Sequence, residues 1–132
     1  MKFRLLVALL LVAFALAGCD AGRSDEPARL TIDTPELGAE LAIGQPFRVV
    51  ARISDDEPIS PSRVSLLQFN GDVIASVTVE NPSAADVLVI DTVLFVPEGT
   101  EPLGNPEGSA FLDFTYGSGG STALQVFLVD AP

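Results

Sequence analysis

Histidine and tryptophan are absent from this chain of 132 residues, and there is a single cysteine, Cys19. Without histidine, the chain has no Ser-His or Cys-His pair for nucleophilic catalysis and no imidazole ligand for a metal centre. A single cysteine also excludes an intramolecular disulfide. These absences predict a protein that is not an enzyme and whose fold depends on packing alone.

Basic residues are scarce relative to acidic ones. The sequence contains seven Lys and Arg residues against 18 Asp and Glu residues, so its formal net charge is −11. A surface with this charge repels phosphate backbones, and we therefore expect no nucleic-acid partner. The same charge favours solubility and the binding of divalent cations or of a basic partner.

One long run without polar side chains lies near the N-terminus, at residues 5–16. Lys2 and Arg4 precede it, and the small residues Ala17 and Gly18 follow it. A charged head, an apolar run of this length and a small-residue end predict a secretory signal peptide. The run is shorter than the roughly 20 residues that a membrane-spanning helix needs.

The segment Leu16-Ala17-Gly18-Cys19 resembles the lipobox of bacterial lipoproteins. The resemblance implies cleavage between Gly18 and Cys19 and attachment of lipid to Cys19. The acyl chains would then anchor the mature protein in a membrane of the bacterial cell envelope, after export from the cytoplasm. Asp20, which follows the cysteine, does not decide whether the anchor lies in the inner or the outer membrane.

Three segments follow from this interpretation: a signal peptide at 1–18, a flexible polar tether at 19–28 and one domain at 29–132. Cleavage would remove both basic residues of the leader. Five arginines would then remain against all 18 acidic residues, which gives a formal net charge of −13.

From Arg29 onward, short apolar-rich runs alternate with turn residues at the spacing of an all-β protein. Asn70-Gly71 is typical of a hairpin with a type I′ turn, which needs positive φ at both central residues. We predict an antiparallel β-sandwich of seven or eight strands, with a small barrel as the alternative. The predicted strands are 29–34, 40–43 (a second piece of the same edge strand), 47–54, 63–69, 73–79, 87–96, 109–116 and 121–130.

The most apolar segment of the mature chain is VLVIDTVLFV, at 87–96. Its β-branched residues favour a strand over a helix. The side chains predicted to face the core are Leu88, Ile90, Leu94 and Val96. The opposite face would then present Val87, Val89, Val93 and Phe95. This face is either covered by loops, as in a central strand, or exposed as a docking surface for a partner or for membrane lipid.

The order of turn signals resembles that of the immunoglobulin-like (Ig-like) domains of bacterial surface and envelope proteins, over roughly 30–130. The resemblance implies an Ig-like β-sandwich and rests on turn residues rather than on a fingerprint. The residues that carry it are Pro35, Gly38, Gly44-Gln45-Pro46-Phe47, Ser54-Asp55-Asp56-Glu57, Phe69-Asn70-Gly71 and Val96-Pro97-Glu98-Gly99.

Asp55, Asp56 and Glu57 form the densest group of carboxylates and are candidate Ca²⁺ ligands. Ca²⁺ takes about six to eight oxygen ligands, but this segment lacks the EF-hand spacing and Pro58 restricts its wrapping. The alternative is a solvated turn. Many of the Ig-like modules also carry an aspartate in the last hairpin, whereas FTYGSGG at 114–120 has none, which weakens a shared calcium site.

Asp91 and Asp113 are singled out as the acidic residues inside predicted strands with apolar neighbours, and both are predicted to face outward. A glycosidase needs two carboxylates in one cleft, so this placement argues against that activity. The function predicted from the sequence is a non-catalytic, lipid-anchored envelope module that mediates protein–protein interaction or structural presentation. The alternative is a surface module that binds Ca²⁺ or glycan.

Overall fold

The structure is a computed structural model that describes residues 28–116 and 120–132. Gly18, Cys19, the rest of the predicted signal peptide and nearly all of the tether lie outside these ranges. None of the described residues belongs to a helix long and apolar enough to cross a membrane. The strands are β1 (Arg29–Thr34), β2 (Glu40–Ala42), β3 (Pro46–Ser54), β4 (Ser62–Gln68), β5 (Val73–Val79), β6 (Val87–Phe95), β7 (Ser109–Tyr116) and β8 (Gly120–Val129).

These eight strands form two sheets that enclose one hydrophobic core. One sheet has the order β1-β3-β6, and the other has the order β2-β8-β7-β4-β5. No ladder joins the two sheets within the described ranges, so the predicted sandwich is confirmed and the small barrel is wrong. The separation of β1, β3 and β6 from β4, β7 and β8 is the strand order of an Ig-like Greek key.

The position of β2 differs from the prediction. The sequence predicted a second piece of the first edge strand, whereas the chain crosses to the other sheet and β2 runs parallel to β8. Gly38 makes this crossing with a φ of +78°, and its N–H donates to the carbonyl of Gln125 at 2.8 Å. The sandwich therefore contains one short parallel pair, while its other ladders are antiparallel.

Alternation of side chains along the strands builds the core. The four residues of 87–96 predicted to face inward are all buried, which confirms the predicted orientation of this segment. On β4, which is apolar on both faces, Val64 and Leu66 turn inward and are fully buried. Complete burial of one such side chain stabilises the fold by about 1.5–3 kcal/mol. The fully buried apolar residues include Val49, Ile53, Val64, Leu66, Ile90, Val96, Ala110, Leu112 and Val126.

The hairpin predicted at Asn70-Gly71 joins β4 to β5, but the predicted turn type is wrong. Of Asn70 and Gly71, only Gly71 has a positive φ, which is +90°. Its N–H donates to the carbonyl of Gln68 at 2.9 Å, and the N–H of Gln68 donates to the carbonyl of Asp72 at 2.9 Å. This pattern is a type I turn closed by a glycine bulge. The Asn70 side chain supports the turn by accepting a hydrogen bond from the N–H of Asp72 at 3.1 Å.

Gly108 lies where the long loop 97–108 reaches β8. Its φ is +86°, and its carbonyl accepts a hydrogen bond from the N–H of Leu128 at 2.7 Å. A Cβ added to Gly108 would lie 2.3 Å from the carbonyl oxygen of Leu128. The end of the loop is therefore held against β8 by a backbone approach that has room only for glycine.

We expect Gly108→Ala to lower the free energy of unfolding more than the matched substitution Gly71→Ala. Both impose the strain of a left-handed conformation, about 1–2 kcal/mol. At Gly71 an added Cβ meets no atom within 4 Å, whereas at Gly108 it collides with backbone. Urea unfolding of the two variants measures the difference, and equal losses would contradict this account of the loop.

Candidate functional site

The outer face of β6 presents the apolar residues that the sequence predicted to face outward. Val89, Val93 and Phe95 are 59%, 61% and 50% exposed, and Val87 is half-buried. They share this face because side chains alternate with a period of two along a strand. The structure thus brings all four predicted interface residues onto one side of one strand.

β6 is an edge strand, so the interpretation of 87–96 as a central strand covered on both faces is wrong. Among residues 28–116 and 120–132, it is hydrogen-bonded to β3 on one side and to no strand on the other. The reason lies in the connection 80–86, which carries the chain from β5 in the five-stranded sheet to β6 in the three-stranded sheet. β6 therefore adds a free edge to its exposed apolar face.

β3 contributes the other half of this surface. In the register of the ladder, Val93 lies opposite Arg48, Asp91 opposite Val50 and Val89 opposite Arg52. The apolar side chains of β6 thus lie beside arginines of β3. We call the outward side chains of β3 and β6 together with the free edge of β6 the β6 surface.

Arg48 and Asp91 form a bidentate ion pair in the middle of this surface. Nε of Arg48 donates to Oδ1 of Asp91 at 2.9 Å, and Nη2 donates to Oδ2 at 2.7 Å. Two parallel charge-assisted hydrogen bonds hold both side chains in one geometry. Since the side chains are 64% and 51% exposed, solvent screens the pair and its contribution to stability is small.

The ion pair lowers the pKa of the Asp91 carboxyl, chiefly because the carboxylate accepts hydrogen bonds from Arg48 and also because it lies near a positive charge. A lowered pKa in the folded state means that the pair stabilises the fold above the ordinary pKa of aspartate. This stabilisation is lost as the pH falls through the folded-state value. At neutral pH the centre of the β6 surface is therefore a formed, neutral pair.

Charge is distributed unevenly over the domain. Asp20, Asp25 and Glu26 precede the described residues, so 15 of the 18 acidic residues lie within them, together with four arginines. Three of these arginines belong to the outer face of the three-stranded sheet, which has only two acidic residues. The residues concerned are Arg29, Arg48 and Arg52, and Asp33 and Asp91. This face is the least acidic part of a strongly acidic domain.

The acidic segment Asp55, Asp56 and Glu57 is not gathered into a metal site. Oδ1 of Asp55 accepts a hydrogen bond from the N–H of Asp56 at 2.7 Å, so this oxygen is used within the turn. Across residues 28–116 and 120–132, no three acidic side chains converge in a geometry that would hold a cation. The neighbouring Ile59 is buried in the core, which fixes the segment where it crosses between the sheets.

Asp91 and Asp113 lie on different sheets. Asp113 is on the outer face of the five-stranded sheet, where the hydroxyl of Ser121 lies 3.5 Å from its Oδ1. Asp91 is on the outer face of the opposite sheet. The two carboxylates therefore point away from each other across the sandwich, and they do not share a cleft.

The loop 97–108 packs against the hairpin between β4 and β5. The side-chain amide of Gln68 donates to the carbonyl of Glu101 at 3.1 Å. The ring of Phe69 lies so close to Gly104 that a Cβ there would meet it at 2.9 Å. This loop therefore belongs to the structural frame at the end of the sandwich where β4 and β5 are joined.

No protein-family model matches the chain, and no curated protein shows significant similarity to it. The candidate site therefore rests on the geometry of the β6 surface and on the sequence of the N-terminal segment.

Replacing Arg48 with glutamine is expected to raise the pKa of Asp91 toward the ordinary aspartate range, because the carboxylate loses two charge-assisted hydrogen bonds. NMR titration of the Asp91 carboxyl carbon measures the change. Arg52→Gln is the matched control, since Arg52 is on the same strand and face but makes no hydrogen bond to Asp91 in the described structure. A larger change in the control than in Arg48→Gln would contradict the assignment.

Proposed function

We propose that this chain is a non-catalytic, lipid-anchored module of the bacterial cell envelope that acts by protein–protein contact through the β6 surface. The observation that carries the proposal is the set of exposed apolar side chains along a free sheet edge. Three large apolar residues, each at least half exposed, lie on one strand. A group of exposed apolar side chains on one face marks an interaction site more often than scattered single residues do.

The anchoring half of the proposal is supported by the N-terminal sequence. A basic head, an apolar run and the residues Leu16 to Cys19 together have the organisation of a lipoprotein signal. Lipid on Cys19 would confine the domain to a membrane surface outside the cytoplasm. More than one acyl chain is needed for lasting attachment, which lipoprotein maturation supplies.

The contact half of the proposal is supported by the chemistry of the β6 surface. Exposed apolar residues on either side of a neutral ion pair, with arginines beside them, combine the residue types that protein interfaces favour. An unpaired strand edge also offers backbone N–H and C=O groups to a partner strand. A protein partner can use both features at once, because a strand that pairs with β6 brings its own side chains onto the same face.

Mass spectrometry of the full chain produced in a bacterial host is expected to show an N-terminal residue Cys19 that carries acyl chains. Cys19→Ser should leave the leader uncut and the protein without lipid, because the thiol is the acceptor of the lipid. Gly18→Ala is the matched control and should be processed normally, since it keeps a small residue at the cleavage site. An unmodified thiol on an uncut wild-type chain would contradict the anchoring proposal.

Photo-crosslinking tests the contact surface in intact cells. We expect a benzoylphenylalanine at position 93 to form protein adducts in the envelope, because the Val93 side chain is exposed on the β6 surface. Position 73 on β5 is the matched control, since Val73 and Val93 are both 61% exposed. Adducts at position 73 equal to those at position 93, or none at 93, would overturn this surface as the contact site.

A further inference from the structure

β6 is the least protected of the four edge strands in the described part of the sandwich. β1 has a register irregularity between Ile32 and Thr34, and β2 has only three residues. β5 has a register irregularity in its ladder with β4, and its exposed residues are Ser76 and Thr78 beside a single valine, Val73. Irregular, short or polar edges resist pairing with another chain. β6 instead keeps an unbroken register with β3 over nine residues.

The free edge of β6 presents a regular set of backbone groups. The N–H of Asp55 donates to the carbonyl of Asp86, and the N–H of Val96 donates to the carbonyl of Gln45. Residues with even numbers from 86 to 96 therefore direct their backbone groups toward β3. Because these groups alternate in an antiparallel ladder, the odd-numbered residues of β6 direct theirs outward. The same odd-numbered residues carry the exposed side chains.

The outward residues of β6 have a symmetric order. Asp91 is at the centre, Val89 and Val93 lie two residues away on either side, and Val87 and Phe95 lie at the ends. A strand with this order is complementary to itself when turned through a two-fold axis at Asp91. Val89 of one copy then lies opposite Val93 of the other, which satisfies the condition for a symmetric interface.

Charge favours the same arrangement. Two copies of a strongly acidic domain repel each other, and the repulsion is smallest where acidic residues are fewest, on the β6 surface. At the centre, the two-fold axis brings two Asp91 residues together. Each is held by its own Arg48, so two neutral ion pairs meet rather than two bare carboxylates.

We propose that β6 pairs in antiparallel orientation with β6 of a second copy of this chain, about a two-fold axis at Asp91, and that the two three-stranded sheets become one sheet of six strands. This inference rests on the proposed function, because it names the partner of the β6 surface. About ten backbone hydrogen bonds would form between the copies, two for each facing pair of outward residues. Valine and phenylalanine side chains would cover the joined edges.

Cysteine scanning of the full chain in its membrane tests the register. Facing Cα atoms in such a pair are about 5.5 Å apart, within the range that a disulfide spans. Asp91→Cys should therefore link two copies on mild oxidation, as should the double variant Val89→Cys/Val93→Cys. Val89→Cys alone should not, because two residues at position 89 would lie about 13 Å apart. The unsubstituted chain measures the background from Cys19.

We expect disulfide dimers of Asp91→Cys and of the double variant in at least about tenfold higher yield than those of Val89→Cys or of the matched edge variant Val73→Cys. Equal yields at positions 89 and 91, or no dimer at any position, would overturn the two-fold pairing. If the photo-adduct at position 93 has the mass of a different protein, the inference fails and the proposed function stands. If position 93 forms no adduct, both fail.

Discussion

The two-residue alternation of β6 is the constraint on which the β6 surface depends. Leu88, Ile90 and Leu94 are buried between the sheets, and each stabilises the fold by about 1.5–3 kcal/mol. A slip of one residue would expose all three and turn Asp91 toward the core, so burial fixes the register. The direction of the outward side chains is thereby fixed as well, because successive side chains of a strand point to opposite faces. A core of ordinary composition thus holds an apolar surface in place on the other side of the same strand.

Because β6 lies at an edge of its sheet, the β6 surface also includes unpaired backbone groups. A central strand would have both sets of backbone groups satisfied, and its outer face would offer side chains alone. β6 lies at the edge because the chain changes sheets after β5 and because none of the other described strands pairs with its outer side. Arg48 then neutralises the single acidic residue of the edge. Apolar side chains, free backbone groups and low charge therefore coincide on one strand.

Much of the fold follows from the sequence because turn residues and alternation are local signals. The predicted strand boundaries agree with the structure to within one or two residues, and the inward set of 87–96 is confirmed. The sheet assignment of β2, the edge position of β6 and the ion pair between Arg48 and Asp91 were not predicted. Each depends on contacts between residues far apart in the chain. The turn at Gly71 differed because the side chain of Asn70 supports a type I turn.

Residue-level amide hydrogen exchange along β6, in the protein held on membranes by the proposed lipid anchor, tests the central claim most directly. The amides of Ile90 and Leu94 bond to β3 and should be protected at every surface density of the chain. The amides of Val89 and Val93 point to the free edge, so they should exchange fast in dilute membranes and become protected as density rises. Fast exchange of Val89 and Val93 at all densities would contradict a contact made through this edge.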